Sequence, residues 1–202
     1  MRLLLFQLRV IELSQLSQIV PFDRASKRSL SRWIKRMEQK GLLQTTRTVS
    51  VVPKVYSPLI DWSVGAETPA MKVVRNRLRQ RWKQWIPRRC NVIWASSHAV
   101  QLFGGAAGGR RQPLQLAHDL GTSAVYVQLT QKNPVLQQQW YGEDYLRLNS
   151  IPIPVSMMPD AALLNESHQP TKLIEFGGQY SLQKLNRWHQ NCASSQLSYE
   201  LW

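Results

Sequence analysis

The chain has 202 residues, 43% of them hydrophobic, enough to bury one large core or two small ones. Its formal net charge is +14, and the whole excess lies in the first 90 residues, which hold 19 Lys and Arg against five Asp and Glu. That asymmetry points to a nucleic-acid-binding front half joined to an ordinary globular back half. No run approaches the roughly 18–20 apolar residues that span a bilayer. The opening apolar run Leu3–Phe6 is broken by Gln7 and Arg9 too early for a signal peptide. A polybasic protein at a membrane surface is the rival reading, but no lipidation motif or proline-free amphipathic anchor supports it. Cys90 and Cys192 lie far apart with no CxxC spacing and read as free thiols in a reducing compartment, so the cytoplasm is the expected location.

In chain order, residues 2–13 read as a first helix with Leu4, Leu5, Leu8 and Ile11 inward. Leu13–Val20 reads as a short second helix, stopped by Pro21. The strongest pattern is Ser26–Leu43. Leu30, Trp33, Ile34 and Met37 recur at i, i+3, i+4 and i+7 on one helical face, with Arg28, Arg32, Lys35 and Gln39 opposite. Asp23 or Ser26 can cap its start and Gly41 can end it. A helix with an apolar back and a basic front is what a DNA major groove accepts, while a solvated charged face is the plainer alternative. Alternating β-branched residues follow (Thr46, Thr48, Val49, Val51, Val52, Val55), with Pro53 limiting the segment to an edge or a hairpin turn. Three helices and a two-stranded hairpin describe a winged helix-turn-helix over residues 1–62. The phrase SRWIKRMEQKGLL resembles the recognition helix and exit of bacterial winged-helix regulators over about residues 2–60. The resemblance implies duplex DNA as partner, with Lys27, Arg28, Ser31, Arg32, Lys35 and Arg36 in or beside the groove and Arg47 on the wing near phosphate.

Asp61–Ala70 reads as a linker. Met71–Ile86 reads as a second basic helix, with Met71, Val74, Leu78, Trp82 and Trp85 on one face and Lys72, Arg75, Arg77, Arg79, Arg81 and Lys83 around it, ended by Pro87. Residues 63–90 are thus expected to be a basic connector. Arg75, Arg79 and Lys83 are its candidate phosphate contacts, which would add salt-dependent, sequence-blind affinity. Val92–Phe103 reads as strand or hairpin. Gly104–Arg111, GGAAGGRR, lacks the Lys-Ser/Thr of a phosphate-binding loop and is expected to be a hairpin tip whose Arg110 and Arg111 touch DNA.

Leu116–Gln131 reads as a helix with Leu116, Leu120, Ala124 and Val127 inward, broken by Pro134. Two β-like runs, Ile151–Leu164 and Lys172–Phe176, precede a helix at Ser181–Asn191 with Leu182, Leu185 and Trp188 inward. Leu197–Trp202 alternates like a last strand and could leave an edge for pairing. Asp160 follows a proline at the start of one strand, and Glu175 lies at the end of the next. If those strands pair, both carboxylates converge on one point, and hard oxygen ligands there suit Mg²⁺, which activates water and neutralises a scissile phosphate. A simple Pro-Asp turn and a surface glutamate are the structural alternatives. His98, His118, His168 and His189 show no zinc-binding spacing.

The α–β–β–α–β order with P-D and a later hydrophobic-E-x-x resembles the PD-(D/E)xK restriction-endonuclease-like superfamily. More narrowly, the whole chain resembles the replication-relaxation family of plasmid and mobile-element proteins. The similarity rests on a winged-helix front, the AHDL of Ala117–Leu120, a W-x-x-E from Trp140 to Glu143, the PDA of Pro159–Ala161 and the hydrophobic-E-hydrophobic phrase at Glu175. It implies an α+β chain with a nuclease-like domain over residues 91–202, metal-site positions at Asp160 and Glu175, and Glu143 as a third carboxylate. The chain departs from that pattern at Gly177, where an activating lysine should stand two residues after the glutamate. Gln179, or Lys184 on the following helix, is the displaced substitute.

The missing lysine favours a DNA-binding protein of a plasmid or mobile element whose nuclease-like domain binds DNA or a partner, such as another replication or mobile-element protein. The alternative is a Mg²⁺-dependent DNA endonuclease in which Asp160, Glu175 and Lys184 do the cutting. A third reading is a protein–protein adaptor whose basic half serves solubility. A homodimer is compatible with the winged-helix resemblance, because such proteins often match palindromic sites.

Overall fold

A computed structural model describes residues 1–20, 26–106 and 113–202, with side chains from Arg28 onward in the second stretch. The chain is mixed α+β, with helices packed on two separate sheets. A single wide helical turn, Leu3–Gln7, leads to β1 (Ile11–Glu12), α1 (Leu13–Ile19), α2 (Ser26–Gln39) and β2 (Leu43–Ser50). After β3 (Ile60–Trp62) and α3 (Met71–Gln84) the chain returns as β4 (Arg88–Ala95), which lies between β1 and β2 in a three-stranded antiparallel sheet. Glu12 starts α1 with a reciprocal cap: its carboxylate accepts from Ser14 N at 2.7 Å, and Gln15 Oε1 accepts from Glu12 N at 3.0 Å. Leu30 and Ile34 of α2 are buried, as their spacing predicts, and Trp33 and Met37 are half-buried against the same core.

Several expectations for this half are corrected. The first helix is one turn long, because the chain is already extended at Leu8 (φ −136°) on its way into β1. β2 does not form a hairpin with the segment after it. Residues 51–59 carry no strand, and Pro53 has no N–H to give to a ladder. The partner of β2 is β4, paired over eight residues from Leu43–Ala95 to Ser50–Arg88. The segment expected as a linker from Asp61 begins inside β3, which belongs to the other sheet, and Val92–Phe103 is the end of β4 followed by α4 (Ser97–Phe103). The strand pairings therefore run across the boundaries expected at residues 62 and 90.

The rest of the chain forms α5 (Pro113–Lys132), α6 (Leu136–Gln139), β5 (Trp140–Gly142), α7 (Glu143–Leu148), β6 (Ala161–Leu164), β7 (Pro170–Glu175), α8 (Leu182–Ser194) and β8 (Ser198–Leu201). The second sheet has the order β3-β8-β7-β6-β5, antiparallel throughout except for β7 and β8, which run parallel and are joined through α8. Only Ala161–Leu164 of the β-like run from Ile151 is strand. β8 is not a free edge, since β3 covers one side and β7 the other.

Period-two alternation divides this sheet between two cores. Ala162, Leu164 and Leu173 face a cluster built with Met71, Val74 and Leu78 of α3 and Leu185, Trp188 and Cys192 of α8. Ala161, Leu163 and Ile174 face a second cluster that includes Ala124 and Val127 of α5, Leu4 and Leu5 of the opening turn, and Leu30 and Ile34 of α2. Helix α5 is thus packed from both sides, which accounts for its weak amphipathicity and its long buried face. It closely approaches Phe176, the residue after β7, at Gly121, where an added Cβ would meet the Phe176 ring at 2.1 Å. Gly121→Ala is therefore expected to destabilise the protein by about 2 kcal/mol by overpacking, despite alanine's better helix propensity, and a shift in the urea unfolding midpoint will measure it.

Candidate functional site

Asp160 and Glu175 stand one step beyond the Ala161–Ile174 pair of the β6–β7 ladder, so the register sets them opposite each other. Asp160 Oδ2 accepts from the Phe176 backbone N at 2.7 Å and lies 3.5 Å from His118 Nε2 of α5. The Asp160 carbonyl accepts from the N–H of Glu143, the first residue of α7, at 2.9 Å. Glu175 accepts a hydrogen bond from the Tyr180 hydroxyl, and Lys184 Nζ lies 3.4 Å from the centre of the Tyr180 ring. Strand ends, the α5 side chain His118 and the loop before α8 thus converge on one pair of carboxyls.

Both carboxyls are nearly out of solvent, Glu175 at 6% and Asp160 at 12% exposure. Burial lifts Asp160 to about 7, opposed by the Phe176 hydrogen bond and Arg9 and reinforced by Glu143 and Asp119. Burial and then the charge of Asp160 lift Glu175 to about 8, against the Tyr180 hydrogen bond, Lys184 and His118. Two facing acids of this kind hold protons near neutral pH unless a cation replaces them.

Glu143, the expected third carboxylate, faces a different cation. Arg9, from the short segment between the opening turn and β1, grips Asp144 with both arms of its guanidinium, at 2.7 and 2.6 Å. The same guanidinium lies 2.9 Å from Glu143 Oε2 and 3.7 Å from Asp119 Oδ1. Arg147 holds the other Glu143 oxygen at 2.7 Å. A cavity of about 30 Å³ opens among Arg9, Asp119, Glu143, Asp144 and Asp160, room for water-sized occupants only. Among the described residues, no group of three or more His, Cys, Asp and Glu has a metal-holding arrangement. The donor set fits a hard cation held by two carboxylates and completed by other oxygens, which is how Mg²⁺ is often bound beside phosphates. It does not fit a cation held by three carboxylates.

The expected DNA-facing residues divide by position. Arg28, Ser31, Arg32, Lys35 and Arg36 are exposed on α2, and Arg47 is exposed on β2. Arg79 and Lys83 are exposed on α3, whereas Arg75 is half-buried with its Nη2 3.3 Å from Asn76 Oδ1. The side chain of Lys27, and Arg110 and Arg111 altogether, lie outside the described residues. Trp140 of the W-x-x-E phrase is fully buried and donates to the Gln7 carbonyl at 3.0 Å, so it is a core residue. Sequence reasoning missed Arg9 and Tyr180, which have no local pattern to mark them. In comparisons with known proteins, no family model, no curated protein and no solved structure matches the chain.

Two tests follow from these charges. A carboxyl whose folded pKa exceeds its ordinary value keeps its proton longer in the folded protein, so stability falls as pH rises through that interval. For Asp160 and Glu175 the interval runs from their ordinary values of 3.8 and 4.5 up to about 7 and 8. With chelator present, Asp160→Asn or Glu175→Gln should raise stability at pH 8 by on the order of 1–2 kcal/mol, with the gain shrinking toward pH 5 in urea titrations. Arg9→Met removes the counter-ion of Asp144 and Glu143 and should cost about 3 kcal/mol in the same assay.

Proposed function

We propose that the chain binds duplex DNA through a winged helix-turn-helix, and that its second half has a restriction-endonuclease-like fold that grips DNA or a partner protein. One observation carries the first part. The order helical turn, strand, helix, helix, strand, late central strand, with α2 presenting Arg28, Arg32, Lys35 and Arg36 to solvent, supports a winged-helix reading. On this reading the wing is the excursion between β2 and β4, expanded to hold β3 and α3, and Arg47 flanks the reading helix. The second part is supported by α5–α6–β5–α7–β6–β7–α8–β8, which contains the α–β–β–α–β order expected from the sequence with one further strand and two short helices added. The replication-relaxation resemblance adds a plasmid or mobile element as the setting and replication or mobile-element proteins as partners. Among the described residues no helix is long and apolar enough to cross a membrane.

A Mg²⁺-dependent endonuclease is the second reading, favoured by the facing Asp160–Glu175 pair with Lys184 close enough to draw Glu175 down. Asp160 and Glu175 would hold the ion, which would supply Lewis-acid polarisation of a phosphate and an activated water. His118 keeps Asp160 oriented and Tyr180 does the same for Glu175. Against cutting stands Gly177 in the lysine position.

Selection from a random-sequence duplex pool at about 150 mM salt with Mg²⁺ distinguishes the readings. The expected result is one enriched motif on intact DNA, erased by Arg28→Ala and Arg32→Ala. Cleaved ends that vanish in Asp160→Ala would establish the endonuclease instead. Affinity that barely changes with salt would point to the adaptor reading.

A further inference from the structure

Strands β2 and β4 form one long ribbon whose two faces have different neighbours. Successive side chains of a strand alternate between faces, and residues paired across an antiparallel ladder share one. The pairs Leu43–Ala95, Thr45–Ile93, Arg47–Asn91 and Val49–Arg89 therefore lie on a single face. At one end of that face Leu43, Ile93 and Ala95 are buried in the same core as Leu30 and Ile34 of α2. Thr45 marks the margin of this cover: it is exposed, and its hydroxyl donates to Glu38 Oε1 of α2 at 2.6 Å. Beyond it, Arg47, Val49, Arg89 and Asn91 are all exposed. Helix α2 thus lies on one half of the face and leaves the other half open beside it.

The opposite face is closed. Ser50, Cys90 and Val92 are buried there, and Arg88, paired with Ser50, reaches Glu12 Oε2 at 3.7 Å. Arg88 and Arg89 are adjacent in sequence but stand on opposite sides of the ribbon. The side chains of Arg47 and Arg89 have no ion pair or hydrogen bond among the described residues. Glu38 is the only acid in α2, β2 and β4, and Thr45 already binds it. The open half of the ribbon therefore continues the positive surface of Arg28, Arg32, Lys35 and Arg36 without an acid to neutralise it. Exposed cations spread over a helix and a ribbon suit a polyanion whose charges repeat along a backbone better than a single small acid.

We propose that the open half of this ribbon face is a second contact with the DNA backbone, in which Arg89 joins Arg47 in binding phosphates beside those met by α2. This rests on the DNA-binding reading above. It brings a strand that follows α3 in the chain onto the side of the sheet that holds α2, and it leaves Arg88 out of the contact.

The test is fluorescence anisotropy of a labelled random-sequence duplex titrated with the full chain over a range of salt. Arg89→Ala is expected to bind roughly fivefold more weakly, with the slope of log affinity against log salt reduced by about 0.9. Combining it with Arg47→Ala should reduce the slope by about 1.8. Arg88→Ala, on the opposite face, should keep the wild-type slope. Selection from the duplex pool should return the wild-type motif for Arg89→Ala, because a phosphate contact carries no sequence information. All three side chains are exposed, and wild-type melting temperatures check that the variants fold. A wild-type slope in Arg89→Ala, or an equal loss in Arg88→Ala, would overturn the assignment and leave DNA binding in place. A changed motif in Arg89→Ala would overturn it too, by making the contact one to bases. A wild type without salt-dependent binding would overturn the DNA reading and the assignment with it.

Discussion

The eight-residue ladder between β2 and β4 is the constraint on which the architecture depends. It brings Ser50 back beside Arg88, and everything between them must leave one sheet and return to it. Within that excursion β3 joins the edge of the five-stranded sheet and α3 packs against α8. A tight turn between β2 and β4 would close the first sheet equally well. The longer path has a different effect: it ties a strand and a helix from one half of the sequence into the other half's core. Leu78, fully buried, and Met71 and Val74 beside it are what anchor that tie.

The second organising force is electrostatic. Five acids, Asp119, Glu143, Asp144, Asp160 and Glu175, gather where α5, α7 and two strand ends meet, and one arginine from the first half enters among them. Arg9 is held so firmly by Asp144 that its own pKa rises well above the usual value. The acids nearest Arg9 have a built-in counter-charge, whereas Asp160 and Glu175, farther along, hold theirs by keeping protons. The cluster is thus divided into a part neutralised by arginine and a part whose negative charge is held down by burial.

Helices with a sustained apolar stripe were legible in the sequence. α2, α3 and α8 begin and end within a few residues of where spacing alone puts them, and Leu30, Ile34, Leu78, Leu185 and Trp188 are buried as expected. The Asp160–Glu175 meeting was legible only as a condition: the sequence puts the two acids at strand ends, and the β6–β7 register that brings them together is a finding of the structure. The β2–β4 pairing was not legible, since nothing near β2 marks a partner beyond residue 87 and a local hairpin is the default inference. Arg9 was invisible for the same reason, its partners lying more than a hundred positions away. Arg89 was visible only as one basic residue among several. The β2–β4 register is what separates it from Arg88.

The opening turn has a consequence for how the chain acquires its structure. Gln7, 4% exposed, is bonded on every side by later residues: its Nε2 to the Gln137 and Trp140 carbonyls, its Oε1 from the Tyr126 hydroxyl, its carbonyl from Trp140 Nε1. During synthesis the first segment emerges long before β5 exists, so Leu4, Leu5 and the apolar side of α2 wait without their partners. Folding is governed by contacts of long sequence separation and is correspondingly slow. The basic front half does not acquire its final form alone; the packing beneath the basic face of α2 becomes complete only when the back half has been made.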